Sequence, residues 1–242
     1  MKGVLLAGGY GTRLRPLTNI TNKHLLPIYN KPMIEYALEN LHNANVKDIC
    51  VILGGSKPEE VAKYLGDGFR YGVRLTYQWQ GEPRGIAHAV ACAEDFVGNE
   101  NFVVYLGDNI FTSGIGEFVD EFLEDESDAR VLVTEVENPQ SYGVIEFKDG
   151  EILGLEEKPK NPKSNSIVTG VFCFKPSAFE IARTIKPSWR NEYEITDVIH
   201  EMVVSTNYLV KYSIMKGKWY DCGTFDDILN TSLFFQNKMR GR

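Results

Sequence analysis

The stretch Leu6-Ala7-Gly8-Gly9-Tyr10-Gly11-Thr12-Arg13-Leu14-Arg15-Pro16-Leu17-Thr18 leads an apolar run into a turn holding three glycines and two arginines. The residues that feed it, Gly3–Ala7, lack polar alternation and read as a buried strand. In an α/β sheet, ligands bind at the carboxyl ends of strands. Glycines at that point let the backbone approach a ligand closely, so that N–H groups can face phosphate or a base. Arg13 adds a planar cationic fork for phosphate oxygens. Two familiar phosphate loops do not fit. A P-loop needs a Lys after its last glycine, and none follows here. A dinucleotide fingerprint needs a glycine three residues after Gly11, where Leu14 stands.

Working outward, Asp48–Leu53, Val73–Trp79 and Phe102–Leu106 read as further buried strands. Helical patterns lie between them, after Lys31 and over Lys57–Leu65 and Ile86–Phe96. Ile115, Phe118, Val119, Phe122 and Leu123 mark one face of another, whose acidic face is solvated. Beyond Ala129 strands dominate: Arg130–Val136, Tyr142–Phe147, Glu151–Glu157 and Ile167–Lys175. Helices return over Ser177–Ile185 and Glu194–Ser205, then a strand near Tyr208–Met215 and a helix from about Phe225 to Lys238. The expected fold is α/β: a Rossmann-like, mostly parallel mixed sheet with helices on both faces and strand-rich insertions. Residues 1–242 are expected to form a single domain.

The net charge is −7, which argues against nucleic acid and anionic membranes as partners. It is unevenly spread. Residues 1–34 carry five Lys or Arg and no Asp or Glu, leaving −12 for the remainder. A cationic start on an acidic chain points to a local anion site. No run of about 18 apolar residues is present, so no membrane span is expected. The four cysteines are widely spaced without Cys-x-x-Cys and read as buried thiols of a cytoplasmic protein.

The quoted run resembles the signature of the sugar-1-phosphate nucleotidylyltransferases. The likeness continues through Asn22-Lys23-His24-Leu25-Leu26-Pro27 and Lys31-Pro32-Met33-Ile34 and recurs to about Thr231. Within that family it is nearest the thymidylyltransferase branch that acts on glucose 1-phosphate, in a short form. The resemblance implies the fold of nucleotide-diphospho-sugar transferases. It also implies attack of glucose 1-phosphate on the α-phosphorus of dTTP, giving dTDP-glucose and pyrophosphate. Two polyanions must then be aligned and neutralised, so cations, a metal and a base reader are needed.

By that resemblance Arg13, Lys23 and Lys158 are the catalytic cations, with Lys158 on the sugar phosphate. Gly8, Gly11, Thr12, Gln80, Gly85 and Asp108 serve the nucleotide, and Gln80 reads the base. Tyr142, Gly143, Glu157, Thr169 and Trp219 line the sugar pocket. Asp108 and Asp221 hold Mg²⁺, an ion that takes one or two carboxylates and completes its shell with phosphate and water. Asp221 could instead cap the last helix, although Thr224 is the better cap. Trp79 is expected in the core, and Glu194-Ile195-Thr196-Asp197 as capping and support.

Three positions depart from the pattern: Tyr10 for a small residue, His24 for Gln and Cys222 for Thr. The first two lie near the nucleotide and leave open UTP in place of dTTP. A non-catalytic sugar-nucleotide-binding regulator is a further alternative, disfavoured because every expected cation and carboxylate is present. A homo-oligomer is expected. Longer thymidylyltransferases extend past the position of Arg242 with a helical segment that helps form an interface and a regulatory site, and the resemblance does not carry that arrangement over to this chain.

Overall fold

The computed structural model describes residues 1–205 and 207–241. The first half runs β1 (Lys2–Ala7), β2 (Pro27–Ile28), β3 (Lys31–Pro32), α1 (Met33–Asn43), β4 (Asp48–Leu53), α2 (Pro58–Leu65), β5 (Arg74–Trp79), α3 (Ile86–Ala91), α4 (Glu94–Val97), β6 (Phe102–Leu106), β7 (Asn109–Phe111) and α5 (Gly116–Glu124). The second half runs β8 (Ala129–Glu135), β9 (Gly143–Lys148), β10 (Glu151–Glu157), β11 (Ser166–Phe174), α6 (Ala178–Ala182), α7 (Ile195–Val204), β12 (Val210–Ile214), β13 (Trp219–Asp221) and α8 (Phe225–Arg240).

Nine strands form one sheet in the order β10-β9-β11-β6-β1-β4-β5, with β8 joined to β11 and β12 to β8. β6, β1, β4 and β5 are mutually parallel. β11 runs against β6, β8 and β9, and β10 against β9. The other seven strands therefore share one direction, as the expected mostly parallel sheet requires.

Parallel central strands are buried on both faces, and the sequence of β1 reflects it. Val4 and Leu6 join Ile52, Phe102 and Val104 under α3, α6 and α7. Leu5 and Ala7 point the other way, with Val51, Val103 and Tyr105, toward α1, α2 and α5. Burying each of the larger of these side chains contributes about 1.5–3 kcal/mol.

One topological detail positions the site. β11 pairs Val171–Phe174 with β6 and Ile167 with Val144 of β9, while β8 runs along its opposite edge. β6 and β9 thus share one edge of β11, and a gap opens where β6 stops at Leu106 and before β9 starts at Gly143. Gly107 turns the chain out of the sheet there; its N–H donates to Leu6 O at 2.9 Å.

Several expectations are corrected. The helix read over Ile86–Phe96 breaks after Ala91, where Ala93 N–H donates to Val90 O, a tighter turn than α. Trp79 is 55 % exposed and not core, because β5 is the sheet edge and has a neighbour on one side only. Asp221 ends β13, which pairs antiparallel with β7 in a two-stranded ribbon beside the main sheet. Among the described residues no helix is long and apolar enough to cross a membrane. The four cysteines are free, three of them buried and Cys92 half-buried.

Candidate active site

A cleft of about 450 Å³ opens at the carboxyl ends of β1 and β6. Gly8 to Leu14, Lys23, Gln80, Gly85, Asp108, Glu157 and Lys158 line it, together with Arg190, Glu192, Glu194 and Gly223. A smaller hollow of about 270 Å³ lies against His200 and the β9–β10 hairpin, away from these groups.

The glycines of the first loop have a role beyond admitting a ligand. Gly11 needs its left-handed φ of 59°, and a side chain on it would crowd Thr18, whose hydroxyl donates to Gly11 O at 2.8 Å. Gly8 is unstrained, but a Cβ there would stand 2.9 Å from Oε1 of Gln80. A Cβ on Gly223 would stand 2.6 Å from the Arg13 guanidinium. These glycines make room for the functional side chains themselves. Arg13 lies exposed along the loop and forms no ion pair among the described residues.

Lys23 follows Asn22, whose side chain caps the short turn Lys23–Leu25 by accepting from His24 N–H. Its ammonium meets the Asp108 carboxylate at 2.5 Å. Asn109 Nδ2 donates to the other Asp108 oxygen at 3.0 Å. Burial alone would raise the pKa of Asp108; the Lys23 charge reverses this and holds the carboxyl well below its usual range. Asp221 has the opposite balance. Burial, then the Asp108 charge, pushes it up to about 6 against the weaker pull of Lys23 and Arg13. Thr224, not Asp221, caps α8, in a capping box with Asp227, which leaves the Asp221 carboxylate uncommitted. His24 is buried beneath Lys23, and burial with the Lys23 charge lowers its pKa to about 3, so the ring is neutral.

Gln80 sits one residue beyond β5, buried and lining the cleft, whereas Gln78 within β5 faces solvent. Its Nε2 donates to Gly85 O at 3.3 Å and meets His88 Nδ1 at 3.1 Å.

The opposite wall is built by β9, β10 and the segment before α7. Lys158 adopts a left-handed φ of 47° just past β10, and its N–H donates to Tyr142 O at 3.0 Å. Its ammonium lies 3.5 Å from Glu157, whose other oxygen accepts from Thr196 Oγ1 at 3.2 Å. Gly143 packs so tightly that a Cβ would stand 2.4 Å from Thr196 Cγ2. Tyr142 packs edge-on against Trp219, whose indole N–H donates to Asn109 Oδ1 at 2.6 Å. Thr169 stands apart: it is buried, and its hydroxyl donates to Leu132 O within the sheet.

Arg190 was not foreseen from sequence. Its guanidinium touches Glu194 at 3.1 Å and Glu192 at 3.0 Å and lies 3.8 Å from Glu157. Glu194, expected as a cap, makes no capping bond; it accepts from Ser188 and Arg190, and burial raises its pKa. The only sequence signal was the i, i+4 spacing of Arg190 and Glu194, which is not distinctive.

The nucleotidyl transferase family model matches residues 2–238. A low-salt glycan biosynthesis nucleotidyltransferase of Haloferax volcanii is 45 % identical over 233 residues, covering 96 % of this chain and 65 % of that protein. The chain thus spans just under two thirds of that relative. A glucose-1-phosphate thymidylyltransferase of Mycolicibacterium smegmatis is 42 % identical over 237 residues, covering 97 % of this chain and 82 % of that one. Among solved structures, a UDP-glucose pyrophosphorylase complexed with UDP-glucose superposes with TM-score 0.87 at 28 % identity, covering 98 % of both chains. A Bacillus anthracis protein provisionally assigned as a glucose-1-phosphate thymidylyltransferase, solved with sucrose, gives TM-score 0.90 at 40 % identity, covering 97 % of this chain and 94 % of that one. On the family match and these identities, the chain belongs to the nucleotidyl transferase family.

Proposed function

We propose that this chain transfers a nucleotidyl group from dTTP to glucose 1-phosphate, giving dTDP-glucose and pyrophosphate with Mg²⁺ as cofactor. The observation that carries the reading is the convergence of Asp108, Lys23, Arg13 and Asp221 into one electrostatic group at the strand ends. Asp108 and Asp221 offer hard oxygen donors that fit Mg²⁺, which needs only one or two protein carboxylates. No cluster of three or more His, Cys, Asp or Glu suited to a metal occurs among the described residues. The ion, when bound, supplies positive charge against the phosphate oxygens.

The chain's own groups do the rest. Arg13 grips triphosphate oxygens, and Lys23 neutralises charge beside Asp108. Lys158 holds the sugar phosphate, and Glu157, fixed by Thr196, accepts from sugar hydroxyls. A phosphate oxygen of the sugar attacks the α-phosphorus, and the bond to the β-phosphate oxygen breaks, its electron pair leaving with pyrophosphate. The nucleophile is already an anion, so no general base is assigned. Homo-oligomerisation and a cytoplasmic setting belong to the same reading.

The test is pyrophosphate release from glucose 1-phosphate with each of dTTP, UTP, CTP and GTP. The expected order places dTTP first. A second reading, UDP-glucose synthesis, draws on the likeness to the UDP-glucose pyrophosphorylase. A strong preference for UTP would establish it. Tight sugar-nucleotide binding without release from any pair would favour a regulator instead.

A further inference from the structure

We infer that His88 is a positioning residue for base selection: by accepting from the Gln80 side-chain amide, it leaves Gln80 presenting only an acceptor to the nucleotide. This rests on the reading of Gln80 as the base reader.

The Gln80 amide has two N–H groups and one oxygen. Gly85 O lies 3.3 Å from it and can only accept, so the nitrogen must face Gly85. The same nitrogen lies 3.1 Å from His88 Nδ1. With Nε2 fixed as the donor, Nδ1 accepts and the imidazole proton sits on Nε2. Arg84 Nη2, 3.5 Å from the protonated Nε2 of His88, is itself a donor and makes no hydrogen bond there. Both amide hydrogens are spent inside the protein. Oε1 is left against Gly8 and Gly54, two positions where a Cβ would approach it to 2.9 and 3.2 Å, and has no protein donor among the described residues.

An acceptor alone is a selective reader. It matches the imide N–H of thymine and uracil. It repels the ring nitrogen that cytosine and adenine present at the corresponding position, because that nitrogen is itself an acceptor. Without His88, the amide loses one of the two groups that hold its orientation. The free N–H can then turn toward a base that carries an acceptor.

The experiment uses the full chain with Mg²⁺, saturating glucose 1-phosphate, and whichever of dTTP and UTP the wild type prefers. His88→Leu is expected to raise KM for that triphosphate about tenfold with kcat changed less than twofold. It is also expected to narrow the preference over CTP by a similar factor. His88→Asn, whose Oδ1 is attached at the same distance from the backbone as Nδ1, is expected to restore most of both. In a Gln80→Ala background, His88→Leu is expected to add less than twofold. Unchanged KM and CTP discrimination in His88→Leu, with an active wild type, would overturn the inference and leave the proposed activity standing. An additive effect in the Gln80→Ala background would overturn it as well. A wild type that releases no pyrophosphate with any pair would remove the proposed activity and this inference together.

Discussion

The two walls of the cleft are built on different principles. The β1 wall is nearly one continuous piece of chain, Gly8 to Lys23, and its polar groups are held one at a time: Thr18 on Gly11, Asn22 on His24, Lys23 on Asp108. The opposite wall draws Tyr142, Glu157, Lys158, Arg190, Glu194 and Thr196 from several elements into one interlocked network. A contiguous wall preserves its geometry through backbone conformation and absent side chains. A networked wall preserves it through mutual occupancy, so a change to one member spreads to the others.

The sharpest way to break this comparison is at the carboxylates between the walls. Asp221→Asn is expected to lower kcat by about a thousandfold, with the melting temperature nearly unchanged, measured by steady-state kinetics and thermal unfolding. Near-normal turnover would exclude Asp221 as a metal ligand.

The same substitution placed on each wall sharpens the contrast. Gly8→Ala crowds Gln80 Oε1 at 2.9 Å, the tip of a side chain that can give way. It is expected to raise KM for the nucleotide about tenfold and leave KM for the sugar phosphate alone. Gly143→Ala meets Thr196 Cγ2 at 2.4 Å and Val168 Cγ2 at 2.9 Å, both packed in place. It is expected to destabilise the fold by about 1–3 kcal/mol and to raise KM for glucose 1-phosphate. Equal effects on both substrates from either variant would erase the distinction between the walls.

The smallest expected effect lies under the first wall. His24 has a folded pKa near 3, below the unfolded value of 6.5. As pH falls, the unfolded state takes up the proton first, so stability drops from about neutral pH downward until the folded pKa is reached. Between pH 6.5 and 5.5 the His24 share of the change is expected to be about 1 kcal/mol. It is read as the difference between wild type and His24→Asn in denaturant titrations in metal-free buffer, because Asp221, pushed up to about 6, adds stability as pH falls over the same interval.

The contiguous wall was legible in the sequence because its residues are neighbours along the chain. Gly8, Gly11, Arg13 and Lys23 fall within one motif, and Asp108 follows the apolar run of β6. The networked wall was only half legible. Glu157 and Lys158 were reached through the family resemblance, but Arg190 offered only its unremarkable i, i+4 spacing to Glu194, since its other partner, Glu157, lies on a strand distant in the chain. Thr169 was assigned to the sugar, yet its hydroxyl donates to Leu132 O. A strand residue's hydrogen-bond partner depends on register with the next strand, and spacing does not carry register. Trp79 failed for a related reason: an edge strand and a central strand can share one composition, and only pairing tells them apart.

Apolar periodicity and turn chemistry determined the α/β order of elements, the glycine loop at the end of β1 and the uneven charge. These are local properties, written in adjacent residues. Of the five basic residues in the first 34, Lys2 and Lys31 are already paired with surface carboxylates, while Arg13 and Lys23 face the cleft. That division, the opposed ionisation of Asp108 and Asp221, and the amide orientation of Gln80 were decided by tertiary structure. Each depends on burial and on charges brought close from distant parts of the chain, and electrostatic energy depends on separation in space and not along the chain.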